Sequence, residues 1–185
     1  MNITVRPYGI DMCYCRPDTT WERENRDIYS PECVDEWKAT PILFARISKA
    51  GKCISQKFIS RYYDGFNFGM LLYIGGKDIA FASCVDHTSI LPFPLYNPVV
   101  LEKEENTFNI IKNGTEIFTE GKINDLKALL EESVCMASQL TSLRIGDFVA
   151  VELSAPQLVS TRQENETALK ATFCDNSIFD FRIIF

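Results

Sequence analysis

The sequence predicts an α+β fold that is mainly β, with one principal helix, and three observations support this. Two strand-like runs flank Asn113-Gly114, a dipeptide that suits the positive backbone angles of a tight hairpin turn. Apolar residues recur at three- and four-residue spacing over residues 124–140, which is the period of an amphipathic helix. Apolar and charged residues alternate near the end of the chain, as in a strand with one covered face.

Length and composition indicate one globular domain over residues 1–185. The chain has 185 residues, of which 46% are hydrophobic, and this is enough to bury an ordinary core. Its formal charge of -6 and pI near 4.9 argue against nucleic acid as a partner, since such binding needs a basic face. No apolar run approaches the ~20 residues that span a bilayer, and no signal-peptide core is visible. We therefore expect a cytoplasmic protein without a membrane partner.

The N-terminal third predicts two strands separated by a long polar segment. Residues 1–6 alternate as a first strand, with Ile3 and Val5 on one face. Residues 16–40 have few apolar positions at any regular spacing, so they are expected to form a long loop with a short helical turn near residues 34–37. Residues 41–47 form the next strand, opened by a proline that is tolerated at a strand's first position.

The middle of the chain predicts a hairpin and an extended connection. Residues 69–74 are the most apolar strand, and the run Gly75-Gly76-Lys77-Asp78 separates it from a second strand at residues 79–84. Residues 98–101 are expected to be extended and to lead into the Asn-Gly hairpin.

The last third predicts the helix and a set of strands. Asn124 is the expected cap at the start of the helix. After the Gly146-Asp147 turn, residues 148–153 form a strand, residues 154–168 a polar loop, and two strands follow around Asp175-Asn176. Asp147 is expected to cap its own turn. Phe179, Phe181, Ile183 and Phe185 share one face of the last strand, which must be covered.

The seven cysteines form an odd, scattered set that is typical of reduced thiols, mostly small buried side chains. The pair Cys13 and Cys15 is separated by one residue, whereas zinc-binding pairs usually leave two to four. Cys33 is a conceivable nucleophile, but the only histidine of the chain is His87. A buried structural thiol is the preferred interpretation of Cys33.

His87 beside Asp86 is the one place where acid–base chemistry is expected from the residues alone. Histidine titrates near neutrality, and a carboxylate can orient it or stabilise its charge. However, sequence neighbours on a strand point to opposite faces, so adjacency does not make a pair. A polar loop without function is the competing interpretation.

The order of motifs resembles the C-terminal half of fumarylacetoacetate hydrolase-like enzymes. The resemblance covers about residues 28–185. It rests on the proline-flanked residues 94–100, the apolar residues 66–75 ending in Ile-Gly, the Asn-Gly hairpin, the helix, and Leu143 with Gly146-Asp147. Glu36, Pro41 and Phe44 fit the entry into the family's first core strand. The resemblance implies a mixed β-sheet roll or barrel with one principal helix, and a homodimer.

The resemblance also implies a magnesium or manganese ion held by carboxylates. Enzymes of the family use this ion to cleave carbon–carbon bonds in acylpyruvate-like keto acids. Two ligands would come from a Glu-x-Glu pair, because alternate residues of a strand share a face. The matching positions here are Asn67 and Gly69, and neither supplies a carboxylate. The family's histidine–glutamate pair falls on Cys33 and Glu36, so the histidine is missing.

Two further departures are the absence of the expected lysine from residues 85–93 and a shortened segment between the two hairpins. No metal cofactor is therefore expected, and Glu36, Asp86 and His87 are the catalytic candidates that remain. One hypothesis is a non-catalytic member of the fold, retained for binding a small keto acid or for assembly. A second is a magnesium- or manganese-dependent enzyme whose ligands are displaced to Asp64, Asp78 or Asp86. A third, a structural subunit paired with an active relative, also stays open.

Overall fold

The fold is described here from a computed structural model, which describes residues 1–102, 106–121 and 123–185. The chain is mostly strand with one long helix, and this confirms the predicted α+β class. The helices are α1 (Ile79–Ala82) and α2 (Ile123–Leu140). The strands of the described residues are β1 (Ile3–Arg6), β2 (Tyr14–Arg16), β3 (Trp21–Glu22), β4 (Ile28–Tyr29), β5 (Glu36–Ile47), β6 (Tyr63–Ile74), β7 (Ser89–Ile90), β8 (Phe108–Lys112), β9 (Thr115–Glu120), β10 (Phe148–Glu152), β11 (Gln157–Thr161), β12 (Glu166–Phe173) and β13 (Asn176–Ile184).

Two mixed sheets form the framework. The first has the order β2-β1-β10-β5-β6-β7-β3, and β11 pairs with the other end of β5. The second has the order β4-β13-β12-β8-β9. Most neighbouring strands are antiparallel, but β1 lies parallel to β10, β3 to β7 and β4 to β13. The mixture of directions is what distinguishes this fold from sheets wound with alternating helices.

The first sheet is curled into a half-barrel, and its topology requires the curl. Strands β2 and β3 lie at opposite ends of the sheet, yet only residues 17–20 connect them. Seven flat strands would span about 29 Å, whereas five residue steps reach at most about 18 Å. The two edges must therefore approach each other. We call residues 14–22, which bridge the open side of the half-barrel, the crossing segment.

The main core lies between the two sheets. Phe66, Phe68 and Met70 on β6 face Phe108 on β8 and Phe173 on β12, and all five are buried. The Phe68 and Phe108 rings stack with their centroids 4.5 Å apart. A second apolar cluster fills the concave face of the half-barrel, and a third packs α2 against the first sheet.

Several local predictions are confirmed. The hairpin of β8 and β9 turns at Asn113 and Gly114, whose φ angles of 48° and 81° are both positive. Helix α2 (Ile123–Leu140) confirms the predicted helix, but it begins one residue before Asn124, which is therefore not its cap and whose side chain lies outside the described part of the chain. Phe179, Phe181 and Ile183 are buried by the chain itself, so the last strand is covered without a partner.

The prediction of a long loop over residues 16–40 is wrong. Strands β3 and β4 interrupt it, a 3₁₀ helix spans Asp18–Thr20, and β5 begins at Glu36, where a helical turn was expected. Each of the short strands pairs with a strand far away in sequence. Such pairing leaves no periodic pattern in the sequence, which explains the error.

Three further predictions need correction. Residues 79–84 do not form the second strand of a hairpin, because α1 begins there and the amide of Ala82 bonds to the Asp78 carbonyl at 2.9 Å. Residues 98–101 lie in a 3₁₀ helix, Pro98–Glu102. The predicted polar loop at residues 154–168 contains β11, which pairs with the start of β5.

Within the described residues, no helix is long and apolar enough to cross a membrane.

Candidate functional site

The two positions that correspond to the expected carboxylate pair lie on β6 and point into the half-barrel. Asn67 is 1% exposed, and its amide donates to the carbonyl oxygens of Pro92 at 3.3 Å and Pro94 at 3.0 Å. Its own oxygen accepts from the backbone amide of Phe68 at 2.7 Å. Asn67 therefore uses its polar atoms to hold the segment after β7.

Gly69 has no room for any side chain. A Cβ at this position would lie 2.2 Å from the carbonyl oxygen of Ile90. The cause is the pairing of β6 with β7, which sets Met70 opposite Ile90 and brings the β7 backbone over the glycine. A glutamate at this position would displace β7. The backbone packing therefore excludes a carboxylate at position 69.

The residues at the family's metal position therefore do not fit a divalent cation. Magnesium and manganese take oxygen ligands and are usually anchored by carboxylates. Here one position has no side chain, and the other offers an amide whose donors face backbone carbonyls. Across the described residues, histidine, cysteine, aspartate and glutamate side chains form no group of three that could hold a metal. Asp64, one of the proposed displaced ligands, instead forms an ion pair in which its Oδ2 lies 2.8 Å from Arg46 Nη2.

The interior of the half-barrel contains a buried arginine from the crossing segment. Arg16 is 1% exposed, and its Nη2 donates to the carbonyl oxygen of Leu72 at 3.0 Å and to the Thr88 hydroxyl at 2.7 Å. Its guanidinium lies 5.0 Å from the centroid of the Tyr73 ring. Arg16 thus connects β2 at one edge of the sheet with β6 and the approach to β7 at the other.

Tyr73, Tyr14 and Glu152 complete this buried network. The Tyr73 hydroxyl donates to Glu152 Oε1 and also contacts the Tyr14 hydroxyl, while Glu152 Oε2 accepts from the amide of Tyr8 at 2.9 Å. Burial raises the pKa of Glu152 above its ordinary value, although the hydrogen bonds oppose this effect. Burial also raises the pKa of both tyrosines, so the hydroxyls stay protonated donors. The network connects the crossing segment with β6 and β10.

His87 meets Glu22 rather than its neighbour Asp86. The Nδ1 atom of His87 lies 3.0 Å from Glu22 Oε2, and the glutamate is 4% exposed whereas the imidazole is 52% exposed. The other oxygen of Glu22 accepts from the amide of Glu24 at 2.6 Å. Asp86 is exposed and is not the carboxylate that faces the imidazole of His87.

The other candidates lie elsewhere. Glu36 starts β5 and is half-buried against Gly75, since a Cβ on Gly75 would lie 2.1 Å from Glu36 Oε1.

Cys33 is exposed, so its interpretation as a buried thiol is wrong, and Cys135 is the cysteine that is buried. Cys13 is half-buried, and burial raises its pKa to about 11, so it stays a thiol. Asp147 accepts from the amides of Asn2 and Arg144 at 2.7 and 2.8 Å, which confirms its role in the turn.

A cleft of about 490 Å³ opens where β10 begins and β3 crosses. Its rings are Trp21, Phe93 and Phe148, with centroids 5.2–6.4 Å apart. Its charged side chains include three arginines, and the lining residues are Met1, Trp21, Arg23, Arg46, Phe93, Arg144, Ile145, Gly146, Asp147 and Phe148. Asp147 is buried and bonded to backbone amides, so the arginines dominate the accessible charge. The cleft is suited to a small planar anion.

Sequence reasoning missed Arg16, Trp21 and Glu22, all of which lie in the crossing segment. Their partners Thr88, Leu91 and His87 are about 70 residues away in sequence. A local signal was present only for His87, which was singled out as the chain's one histidine.

Comparisons with known proteins establish the fold. No family profile and no curated protein sequence matches the chain. Among solved structures, fumarylpyruvate hydrolase from Pseudomonas aeruginosa, in complex with Mn2+ and pyruvate, superposes with a TM-score of 0.81 at 15% identity, covering 100% of this chain and 90% of that one. 5-Carboxymethyl-2-hydroxymuconate delta-isomerase from Mycobacterium smegmatis gives 0.76 at 14% identity, covering 99% and 78%. A fumarylacetoacetate hydrolase family protein from Yersinia pestis gives 0.80 at 13% identity, covering 99% and 92%.

Proposed function

We propose that this chain, which has the fold of fumarylacetoacetate hydrolase family proteins, lacks the family's metal-dependent chemistry and binds a small carboxylate instead. The observation that carries the proposal is the contact between Gly69 and Ile90. A carboxylate cannot be placed at position 69 without moving β7, because the space of its Cβ is taken by a backbone oxygen. Asn67 adds no charge, so a cation at this position would lack its anchoring ligands.

The cleft between β3 and the start of β10 supports the binding part of the proposal. Arg144 is exposed there, and Arg46 presents a guanidinium that Asp64 holds through two hydrogen bonds of 2.8 and 3.2 Å. Phe93 and Trp21 offer ring faces beside these charges. Arginine suits planar carboxylates because its fork matches both oxygens, and the rings favour a flat ligand. A keto acid or an aromatic acid has this combination.

Calorimetric titration with pyruvate and with benzoate tests the binding site. We expect Arg144→Gln to weaken binding about 10- to 100-fold, because a hydrogen bond to a charged group is worth about 1.5–3 kcal/mol. Lys170→Gln is the matched control, since it removes one positive charge from β12 in the other sheet. Equal affinities for the wild type and Arg144→Gln would contradict the assignment of this cleft.

Thermal unfolding with magnesium or manganese tests the loss of metal chemistry. A site filled at a hundred times its dissociation constant adds about 2.7 kcal/mol, which for a domain of this size raises Tm by about 5–10 °C. We expect no increase at millimolar concentrations and no turnover of acylpyruvates. An increase abolished by Asp78→Asn or Asp86→Asn would favour the alternative, a metal-dependent hydrolase or isomerase of keto acids with displaced ligands.

We further propose a homodimer, by analogy with the family. The buried C-terminal strand does not support this, since its apolar face already packs into the core between the two sheets. Exposed apolar side chains are the remaining support, and Phe81 on α1 is 73% exposed while Ile145 is 72% exposed. Light scattering at high protein concentration is the direct measurement, and a monomer mass would contradict the proposal.

A further inference from the structure

The pair formed by His87 and Glu22 has the geometry of a positioned base. The buried carboxylate of Glu22 faces Nδ1 at 3.0 Å, while the imidazole is 52% exposed. A carboxylate at Nδ1 favours the tautomer that carries its proton there, which leaves the lone pair of Nε2 available to accept a proton. Carboxylate–histidine pairs in hydrolytic sites use the same division of roles.

The backbone holds both partners firmly in place. The amide of His87 bonds to the carbonyl of Thr19 at 3.2 Å, and the amide of Leu91 bonds to the carbonyl of Glu22 at 2.9 Å. His87 has a φ of 60°, a left-handed conformation that is uncommon for a residue other than glycine. Such a conformation persists only where the surroundings impose it, and it is more frequent at functional sites. The fold therefore fixes the backbone of His87, and the contact with Glu22 orients its imidazole.

The imidazole opens onto a cleft of about 200 Å³ that is rimmed by two arginines. Trp21, Glu22, Arg23, Glu24, Arg26 and His87 line it. The Arg23 guanidinium lies 5.0 Å from the centroid of the Trp21 ring, and both arginines share Glu24 as an ion-pair partner. Glu22 is buried and faces His87, so the exposed rim consists of the two arginines and Glu24, and the guanidinium groups can bind a small anion with a flat body. The cleft adjoins the carboxylate cleft described above through Trp21 and Arg23.

We propose that His87, positioned by Glu22, is a metal-independent base that removes a proton from a small planar carbon acid bearing a carboxylate. The C–H bond of the substrate breaks, its proton moves to Nε2, and its electron pair enters the adjacent unsaturated group. The imidazolium is stabilised by the Glu22 carboxylate and returns the proton to the product, so no oxidant, metal or second substrate is needed. This inference goes beyond the proposed function and holds even if the larger cleft binds no carboxylate.

Nitrogen NMR tests the positioning directly, because the only histidine of the chain gives an unambiguous imidazole signal. We expect the neutral ring of the wild type to carry its proton on Nδ1. In Glu22→Gln the side-chain amide can donate to Nδ1, so the proton should move to Nε2. A wild-type ring protonated on Nε2, or a tautomer unchanged in Glu22→Gln, would overturn the role of Glu22.

Ring opening of a benzisoxazole carboxylate tests the base itself. In this reaction one C–H bond and the N–O bond break, a nitrile and a phenolate form, and the base takes the proton. We expect His87→Asn, which tolerates the left-handed backbone, to lower kcat/KM by at least about 100-fold, and Glu22→Gln by about 10- to 100-fold. Asp180→Asn, which removes a carboxylate from β13 in the other sheet, should leave the rate unchanged, as should a chelator.

Removal of the rim charge separates binding from proton transfer. Arg26→Gln should raise KM for the benzisoxazole carboxylate and have little effect on the uncharged parent benzisoxazole. Circular dichroism and the NMR spectrum confirm that each variant is folded. Equal rates for folded wild type and His87→Asn would overturn the proposal and leave the pair as a structural contact between β3 and the start of β7.

Discussion

The carbonyl oxygen of Ile90 lies 2.2 Å from the position that a Cβ on Gly69 would occupy. The two residues belong to neighbouring strands, β6 and β7, whose pairing leaves no space above the glycine. Position 69 therefore cannot carry a metal-binding side chain while β7 keeps its present course. Restoring a carboxylate would require a different course for residues 89–94.

Replacing this glycine should be costly even with the smallest side chain. For Gly69→Ala we expect a loss of about 1–3 kcal/mol of unfolding free energy, because the new methyl group overlaps a backbone atom that cannot rotate away. Gly121→Ala is the control, since a Cβ there meets nothing within 4 Å, and it should change stability by less than about 0.5 kcal/mol. Urea unfolding measures both, and equal effects would contradict the tight packing.

A charge at position 67 should be penalised strongly. Asn67→Asp turns a buried donor into a carboxylate that faces the carbonyl oxygens of Pro92 and Pro94, and we expect a cost of about 3 kcal/mol at pH 7. The penalty should shrink as the pH falls, because the protonated acid carries no charge and can donate to one carbonyl. Asn176→Asp alters an exposed amide that also donates to a carbonyl, and should have little effect. A similar cost for both variants would argue against the buried contacts.

Glu152 predicts a pH dependence of stability. Burial raises its folded-state pKa above the ordinary value of 4.5, so the folded protein keeps this proton at a pH where the unfolded chain has released it. The folded state then binds more protons, and its contribution to stability decreases as the pH rises from 4.5 through the raised pKa. Urea unfolding across this range should show that the unfolding free energy of Glu152→Gln depends less steeply on pH than that of the wild type. An identical slope would indicate that Glu152 titrates as in the unfolded chain.

Removing the hydroxyl of Tyr73 should affect the same network. Tyr73→Phe deprives Glu152 Oε1 of its donor inside the half-barrel, and we expect a loss of about 1–3 kcal/mol. The variant should also raise the pKa of Glu152 further, because this hydrogen bond favours the charged form. Tyr29→Phe, at a side chain that is 75% exposed, is the matched control. Thermal and urea unfolding of the two variants give the comparison.

The parts of the fold that sequence predicted are those with local causes. Asn113 and Gly114 accept the positive φ angles of their turn, and Asp147 caps the amide of Arg144 three residues before it, so both leave a pattern in a few residues. Arg16 and Glu22 leave none, because their partners Thr88 and His87 are about 70 residues away in the sequence. The resemblance identified Asn67 and Gly69 as altered positions. The reason for the glycine became visible only with Ile90 above it.

The crossing segment also limits the order in which the chain can fold. Its β2 end pairs with β1, and β1 in turn pairs with β10, whose residues lie about 145 positions later, as in Ile3 with Phe148. On the ribosome, β1 must therefore wait for about 145 further residues before its parallel neighbour emerges. Contacts of such high sequence separation slow folding and leave apolar strands exposed in the meantime. Closure of the half-barrel is thus expected to be a late step in folding.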